Sequence, residues 1–364
     1  MLADSMTRNP ITFIKGPLLE WLKKNSDEGI IDAFWPVPCD RESADFRELC
    51  NNGVRLFQNC YWGDAERLDG IFLSNFKLND ENYFCISSSD QLFETYDPTA
   101  FGLIETELHF LQSSAFLVIS DFKLKRPIPS RLLNGDTFED DLQKFFPKIT
   151  AFRLAEDNTR EYLLATYIRV VLAAEPPESP SFIFKDELIA LALLIPETDH
   201  NWLFFQLLSL ITSKRHENLY LELYRLLEFF FPIANIFNLK NQIAYPGAPL
   251  ELLENCRTQL SWNMNHNTGA RAALKYSGTR FAEILSGEAF NLPPDCSREE
   301  RDKKTLAFKS TAMESLAELR HSLTHQNFKR TTVKRENLIK STESLLVFLG
   351  EAFTAYRRDI LGIH

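Results

Sequence analysis

Glu175-Pro176-Pro177-Glu178-Ser179-Pro180 is the stretch that divides this chain. Three prolines in five positions remove backbone donors and fix φ, so neither a helix nor a central strand continues through them. The residue pattern differs on the two sides. Before the prolines, short β-rich runs alternate with polar turns. After them, apolar residues recur at helical spacing. A chain of 364 residues is also long enough for two domains. The expectation is an N-terminal α+β domain over 1–180 and an all-α helical bundle over 181–364.

Working back from the prolines, Thr159 to Val171 reads as a helix. Ile71-Phe72-Leu73, Tyr83-Phe84-Cys85-Ile86 and Ala115-Phe116-Leu117-Val118-Ile119 read as strands. Leu19 to Lys24 and Asp140 to Phe146 read as helices. Ser87-Ser88-Ser89-Asp90 and Asn134-Gly135-Asp136 read as turns between them.

Working forward, Trp202 to Ile211 is apolar almost all round and reads as a buried helix. Glu217 to Phe231 carries Leu219, Leu223, Leu226, Leu227 and Phe230 on one face, with Pro232 expected to close it. Leu250 to Trp262 and Ala270 to Leu285 are weaker helical segments. Asn263, Asn265, Asn267 and Gly269 mark a polar loop between them. Ser297 has the character of an N-cap, with Glu299 and Glu300 in the first turn. Ala312, Leu316, Leu319 and Leu323 then form one apolar stripe. The last helix is expected from about 336 to 356, with Leu338, Leu345, Leu349, Ala352 and Tyr356 on its seam.

The apolar share of 45% and 30 Phe supply sizeable cores. No run of about eighteen apolar residues is present, so no transmembrane helix and no membrane partner are expected. Met1-Leu2-Ala3-Asp4-Ser5 does not open a secretory signal. Cys39, Cys50, Cys60, Cys85, Cys256 and Cys296 form no C-x-x-C pair, which fits free thiols in a cytoplasmic protein. Phosphate-cradling glycine motifs and a G-x-S-x-G nucleophile elbow are absent, so nucleotide use and serine hydrolysis gain no support. The formal net charge of −10 argues against a general nucleic-acid coat protein. Yet Arg298 to Lys340 holds eleven basic and six acidic residues, a local net +5.

Within that basic segment lies Glu318-Leu319-Arg320-His321-Ser322-Leu323-Thr324-His325-Gln326. An arginine offers a rigid fork of donors to a phosphate. A histidine moves protons near neutral pH. A phosphodiester attacked by its own ribose 2′-OH accumulates charge on the phosphoryl oxygens, which Arg320 would stabilise. His325 would transfer the proton. Such cleavage needs no metal or other cofactor. One histidine cannot readily be both acid and base, so two copies of the motif in a homodimer are expected. His321, Ser322 and Thr324 would line the cleft, and Lys329, Arg330, Lys334 and Arg335 would hold the RNA backbone. Glu228, a carboxylate on an otherwise apolar helix, is a candidate to orient Arg320 across the bundle. Its alternative is a carboxylate satisfied by Arg225 or by solvent.

Leu319-Arg320-His321-Ser322-Leu323-Thr324-His325 resembles the R-x4-6-H signature of the HEPN superfamily. Leu221-Glu222-Leu223-Tyr224-Arg225-Leu226-Leu227-Glu228 is similar to the first long helix of HEPN domains of the abortive-infection type. The likeness covers roughly 182–364 and none of the N-terminal half. It implies an α-helical bundle that dimerises and a metal-independent RNase of toxin–antitoxin or anti-phage systems, held by an antitoxin or another defence partner. Arg320 and His325 then stand at the catalytic positions. His321 stands where the family most often has Asn, and it joins them as a third candidate.

Two other readings use the same residues. HEPN-like bundles also serve as non-catalytic binding or dimerisation modules, and a fold alone does not establish activity. His321 and His325 are four residues apart, which is zinc-ligand spacing. The metalloprotease pattern, however, requires Glu where this chain has Ser322. His200, His266 and Cys296 are the further ligands such a site would draw on. The residues do not disclose a role for the N-terminal domain; sensing or partner binding would suit a nuclease that must be held inactive.

Overall fold

A computed structural model describes residues 14–26, most of 60–88, 98–129 without 109, 144–154, 163–195 without 176–177, 201–260, 266–324 without 294, and 333–358. The chain divides into two compact units, Met1–Pro176 and Pro177–His364. The break falls inside the proline cluster, four residues before the expected one. Ser179 explains the difference. Its Oγ accepts from the Phe182 N–H at 3.3 Å, and Pro180 occupies the first turn that follows. The second half of the cluster therefore starts a helix of the C-terminal unit.

The N-terminal unit is α+β. A π-helical turn, Ile14–Leu18, leads into α1, Leu19–Lys24. The strands are β1 Cys60–Trp62, β2 Glu66–Leu68, β3 Ile71–Leu78, β4 Glu81–Ser88, β5 Leu103–Thr106 and β6 Ile149–Leu154. They form one antiparallel sheet of order β1-β3-β4-β6-β5, with β2 also on β3. Side chains alternate between its faces. Phe72, Phe76, Cys85 and Ala151 share a core with Trp21 and Leu22 of α1 and with Ala115, Phe116 and Leu117. On the other face, Phe84 meets the ring of Tyr167 edge-on at 5.8 Å. Tyr167 belongs to α3, Leu163–Ala173.

Ala115–Ile119 is not a strand. It is the second half of helix α2, Phe110–Ile119, and Ala115, Phe116 and Leu117 are fully buried. A short run that is apolar on every side has no period to separate strand from helix. Here α2 buries Ala115, Phe116 and Leu117 in the core shared with Phe72, Phe76 and Cys85 of the sheet. Ser120 Oγ donates to the Phe116 carbonyl at 2.8 Å, and Asp121 at φ 45° turns the chain out of the helix. Of Asp140–Phe146, only the turn residues from Lys144 lie among those described, as does the strand end of Ser87–Asp90. Asn134-Gly135-Asp136 lies outside them.

Among its described residues the C-terminal unit has helices and no strand. Its elements are α4 Pro180–Ile183, α5 Lys185–Leu194, α6 Asn201–Ile211, α7 His216–Ile243, α8 Pro249–Leu260, α9 His266–Ala273, α10 Arg280–Ser286, α11 Arg298–Thr324 and α12 Arg335–Tyr356. A 3-10 turn, Leu274–Tyr276, follows α9. The centre is α7 against α12: Phe229 and Phe230 pack on Phe353 and Tyr356, with ring centroids 4.8–6.3 Å apart.

Pro232 does not end α7, which continues to Ile243. A proline inside a helix costs about 3 kcal/mol. Phe229, Phe230, Phe231, Ile233 and Ile236 around it are all buried, and each contributes about 1.5–3 kcal/mol. Burial outweighs the lost hydrogen bond. Likewise Asn267 and Gly269 belong to α9 rather than to a loop. A Cβ on Gly269 would lie 2.5 Å from Phe231 Cβ, so the missing side chain lets α9 close on α7. The Ser297 cap of α11 is a reciprocal box. Glu300 N–H donates to Ser297 Oγ at 3.3 Å, and Ser297 N–H donates to Glu300 Oε2 at 3.2 Å. Along α11, Ala312, Met313 and Leu316 are buried, while Leu319 and Leu323 are half-buried. Lys309 is buried too, and its ammonium donates to the carbonyls of Leu274 and Ser277, each at 2.5 Å.

Candidate functional site

Arg320 and His321 occupy the last turns of α11, which runs to Thr324. The turn is closed locally. Ser322 Oγ donates to the Leu319 carbonyl at 2.8 Å, and Thr324 Oγ1 donates to the Arg320 carbonyl at 3.0 Å. These side chains therefore serve the backbone of the motif helix.

Across the bundle, α7 presents Tyr220, Tyr224 and Glu228 at successive four-residue steps, hence on one face. Each meets α11 in the same region. Tyr220 Oη donates to the Leu316 carbonyl at 2.7 Å. Leu316 is one turn before Arg320. The Arg320 guanidinium carbon lies 6.0 Å from the centre of the Tyr224 ring. Its Nη2 lies 3.4 Å from Glu228 Oε1, an oxygen shielded from solvent. That separation exceeds an ideal hydrogen bond, so the contact is chiefly Coulombic. Arg225, the competing cation on α7, engages Glu222 instead, at 2.6 Å.

The phenols of this face are held neutral. Burial, reinforced by the Glu228 carboxylate and opposed by Arg320, pushes Tyr224 up to about 12. Burial raises Tyr220 further still. Neither phenol gives up its proton near neutral pH. Arg320 itself keeps about a third of its side chain exposed, so donors not turned to Glu228 can reach a ligand.

The structure thus brings Arg320 and Glu228 together. His321 is exposed on the same helix end. Lys334 and Arg335 are exposed at the start of α12, where Lys334 is the N-cap residue without a side-chain cap bond. Cations there oppose the helix dipole, which favours negative charge. Arg335 also helps burial lower the His216 pKa, while Glu217 opposes the shift. His325, Lys329 and Arg330 lie outside the described residues. Tyr220 and Tyr224 were missed by the sequence reading. Their signal was present in the four-residue spacing back from Glu228.

Among the described residues no group of three His, Cys, Asp or Glu is placed to hold a metal. Cys85 and Cys256 are buried free thiols, and Cys296 is a half-buried one. No described helix is long and apolar enough to cross a membrane. Compared with known protein families, curated proteins and solved structures, the chain matches none.

Proposed function

We propose that the C-terminal unit is a HEPN-type, metal-independent endoribonuclease. One observation carries the reading: Arg320 of an R-x4-H sequence stands at the end of α11, paired across the bundle with Glu228 and still partly open to solvent. A clamp for a charged transition state needs this combination. The guanidinium must be oriented before substrate arrives, and it must keep free donors. In the proposed reaction the ribose 2′-OH attacks the adjacent phosphorus, Arg320 stabilises the phosphoryl oxygens, and His325 transfers the proton. The 5′-oxygen leaves, so products carry a 2′,3′-cyclic phosphate and a 5′-OH. His321 flanks the phosphate, and Lys329, Arg330, Lys334 and Arg335 hold the RNA backbone.

A homodimer that joins two motifs supplies both an acid and a base. An antitoxin or defence-system partner, acting through the N-terminal unit, restrains the activity in the cytoplasm. Incubation of the full chain with tRNA and mRNA in EDTA, followed by end-group analysis, tests the chemistry. Cyclic-phosphate ends, with DNA untouched, are expected. Cleavage that requires added zinc or magnesium overturns it. Light scattering that shows only monomer at micromolar concentration, with activity intact, overturns the shared cleft.

A further inference from the structure

We propose that Tyr224 is a positioning residue for Arg320, its ring fixing the plane of the guanidinium so that the free edge faces a phosphate. The use of that placement rests on the ribonuclease reading; the placement itself does not. An ion contact to Glu228 restrains one nitrogen of a side chain with several rotatable bonds. It leaves the guanidinium free to turn about that contact. An aromatic face removes that freedom, because a planar cation lies favourably over a π-system, and arginine does this better than lysine.

Tyr224 is a rigid platform. It is only 3% exposed. Its ring meets Phe231 edge-on at 6.5 Å and Tyr220 at 6.3 Å. Tyr220 in turn grips the Leu316 carbonyl, which fixes the helix turn that carries Arg320. The Tyr224 ring centre lies 6.0 Å from the Arg320 guanidinium carbon and the Glu228 carboxylate 3.4 Å from its Nη2, while Tyr220 grips the backbone one turn earlier; the three residues stand four apart on one face of α7. Burial and Glu228 keep the Tyr224 hydroxyl protonated, so it is no base, and the ring is the part proposed to act.

The test compares Tyr224→Leu with Tyr224→Phe in the full chain by two readouts. The first is the Nε–Hε resonance of Arg320, recorded with arginine-selective 15N labelling and assigned by its loss in Arg320→Lys. A ring face shifts it upfield of the other arginines in the parent and in Tyr224→Phe, and Tyr224→Leu returns it toward them. The second is RNA cleavage. Tyr224→Leu lowers kcat by about 10²-fold with little change in KM, as loss of transition-state alignment does. Tyr224→Phe, which keeps the ring, restores most of the rate. The proposal is overturned if Tyr224→Leu leaves the resonance in place or cleaves as fast as the parent. Should Tyr224→Leu fail to fold, the parent spectrum decides alone, and an unshifted Arg320 signal overturns it. A parent that cleaves no RNA sinks the ribonuclease reading, and the resonance comparison still decides the placement.

Discussion

Removing the charge of Glu228 is the sharpest perturbation of the bundle. At 3.4 Å the two charges attract by about 5 kcal/mol at an effective dielectric of 20. The side chains are 34% and 27% exposed, so water screens the pair and ordering the two long side chains offsets part of the gain. The net coupling should fall near 1–2 kcal/mol, above exposed pairs and below fully buried ones. A double-mutant cycle of Glu228→Gln and Arg320→Gln, read by urea unfolding of the full chain, measures it directly. Gln keeps the shape of Glu, so packing changes little. Glu228→Gln should also slow RNA cleavage, because the clamp loses its alignment before substrate binds. A coupling within about 0.3–0.5 kcal/mol of zero, the usual scatter of independent sites, would falsify the pairing on which the site is built.

Three further outcomes follow from the packing. Tyr220→Phe should destabilise the chain by about 1 kcal/mol in thermal or urea unfolding, because a net hydrogen bond is lost and the Leu316 carbonyl keeps its helical partner; no loss at all would contradict the Tyr220 contact. Gly269→Ala should lower Tm even though Ala favours helix, since overpacking costs about 1–3 kcal/mol and the new Cβ meets Phe231; a rise in Tm would show that α9 is not seated on α7. His216 has a folded pKa below its unfolded 6.5, so the unfolded chain takes up the proton first on acidification. Its contribution is present above the unfolded pKa and is lost as pH falls through the folded value. His216→Gln should flatten unfolding stability between neutral and mildly acidic pH, and an unchanged profile would count against the burial of that imidazole.

Periodicity made the C-terminal helices legible, since Leu338, Leu345, Leu349, Ala352 and Tyr356 form a one-sided seam and all five are buried. Punctuation was legible where a residue has one physical use, as at the Ser297 box and the proline cluster. Pro232 misled because its local cost is outweighed by rings that pack from another helix, which no window of sequence reveals. Gly269 misled for a related reason: a glycine among asparagines reads as loop until the neighbour it accommodates, Phe231, is known. Ala115–Ile119 carried no period to read. The three-residue strands β1 and β2 are defined by pairing to β3 rather than by their own composition. At the site, Arg320 and Glu228 could be nominated from residue type and helix face. The tyrosines beside them are not legible in the same way, because their use depends on α11, which lies about ninety residues further along the chain.

The proposed metal-free cleavage of RNA by Arg320 and His325 is open to a direct test. Single-turnover cleavage in EDTA by the parent, His325→Ala and Arg320→Lys, each with parental circular dichroism and Tm, measures it most directly. The expected result is cleavage by the parent to 2′,3′-cyclic-phosphate ends. His325→Ala should lose about 10²–10⁴ in rate, the usual worth of general acid–base assistance, and Arg320→Lys should fail because a point charge does not reproduce the planar fork. Parental rates in His325→Ala, or activity that appears only with added divalent metal, would contradict it.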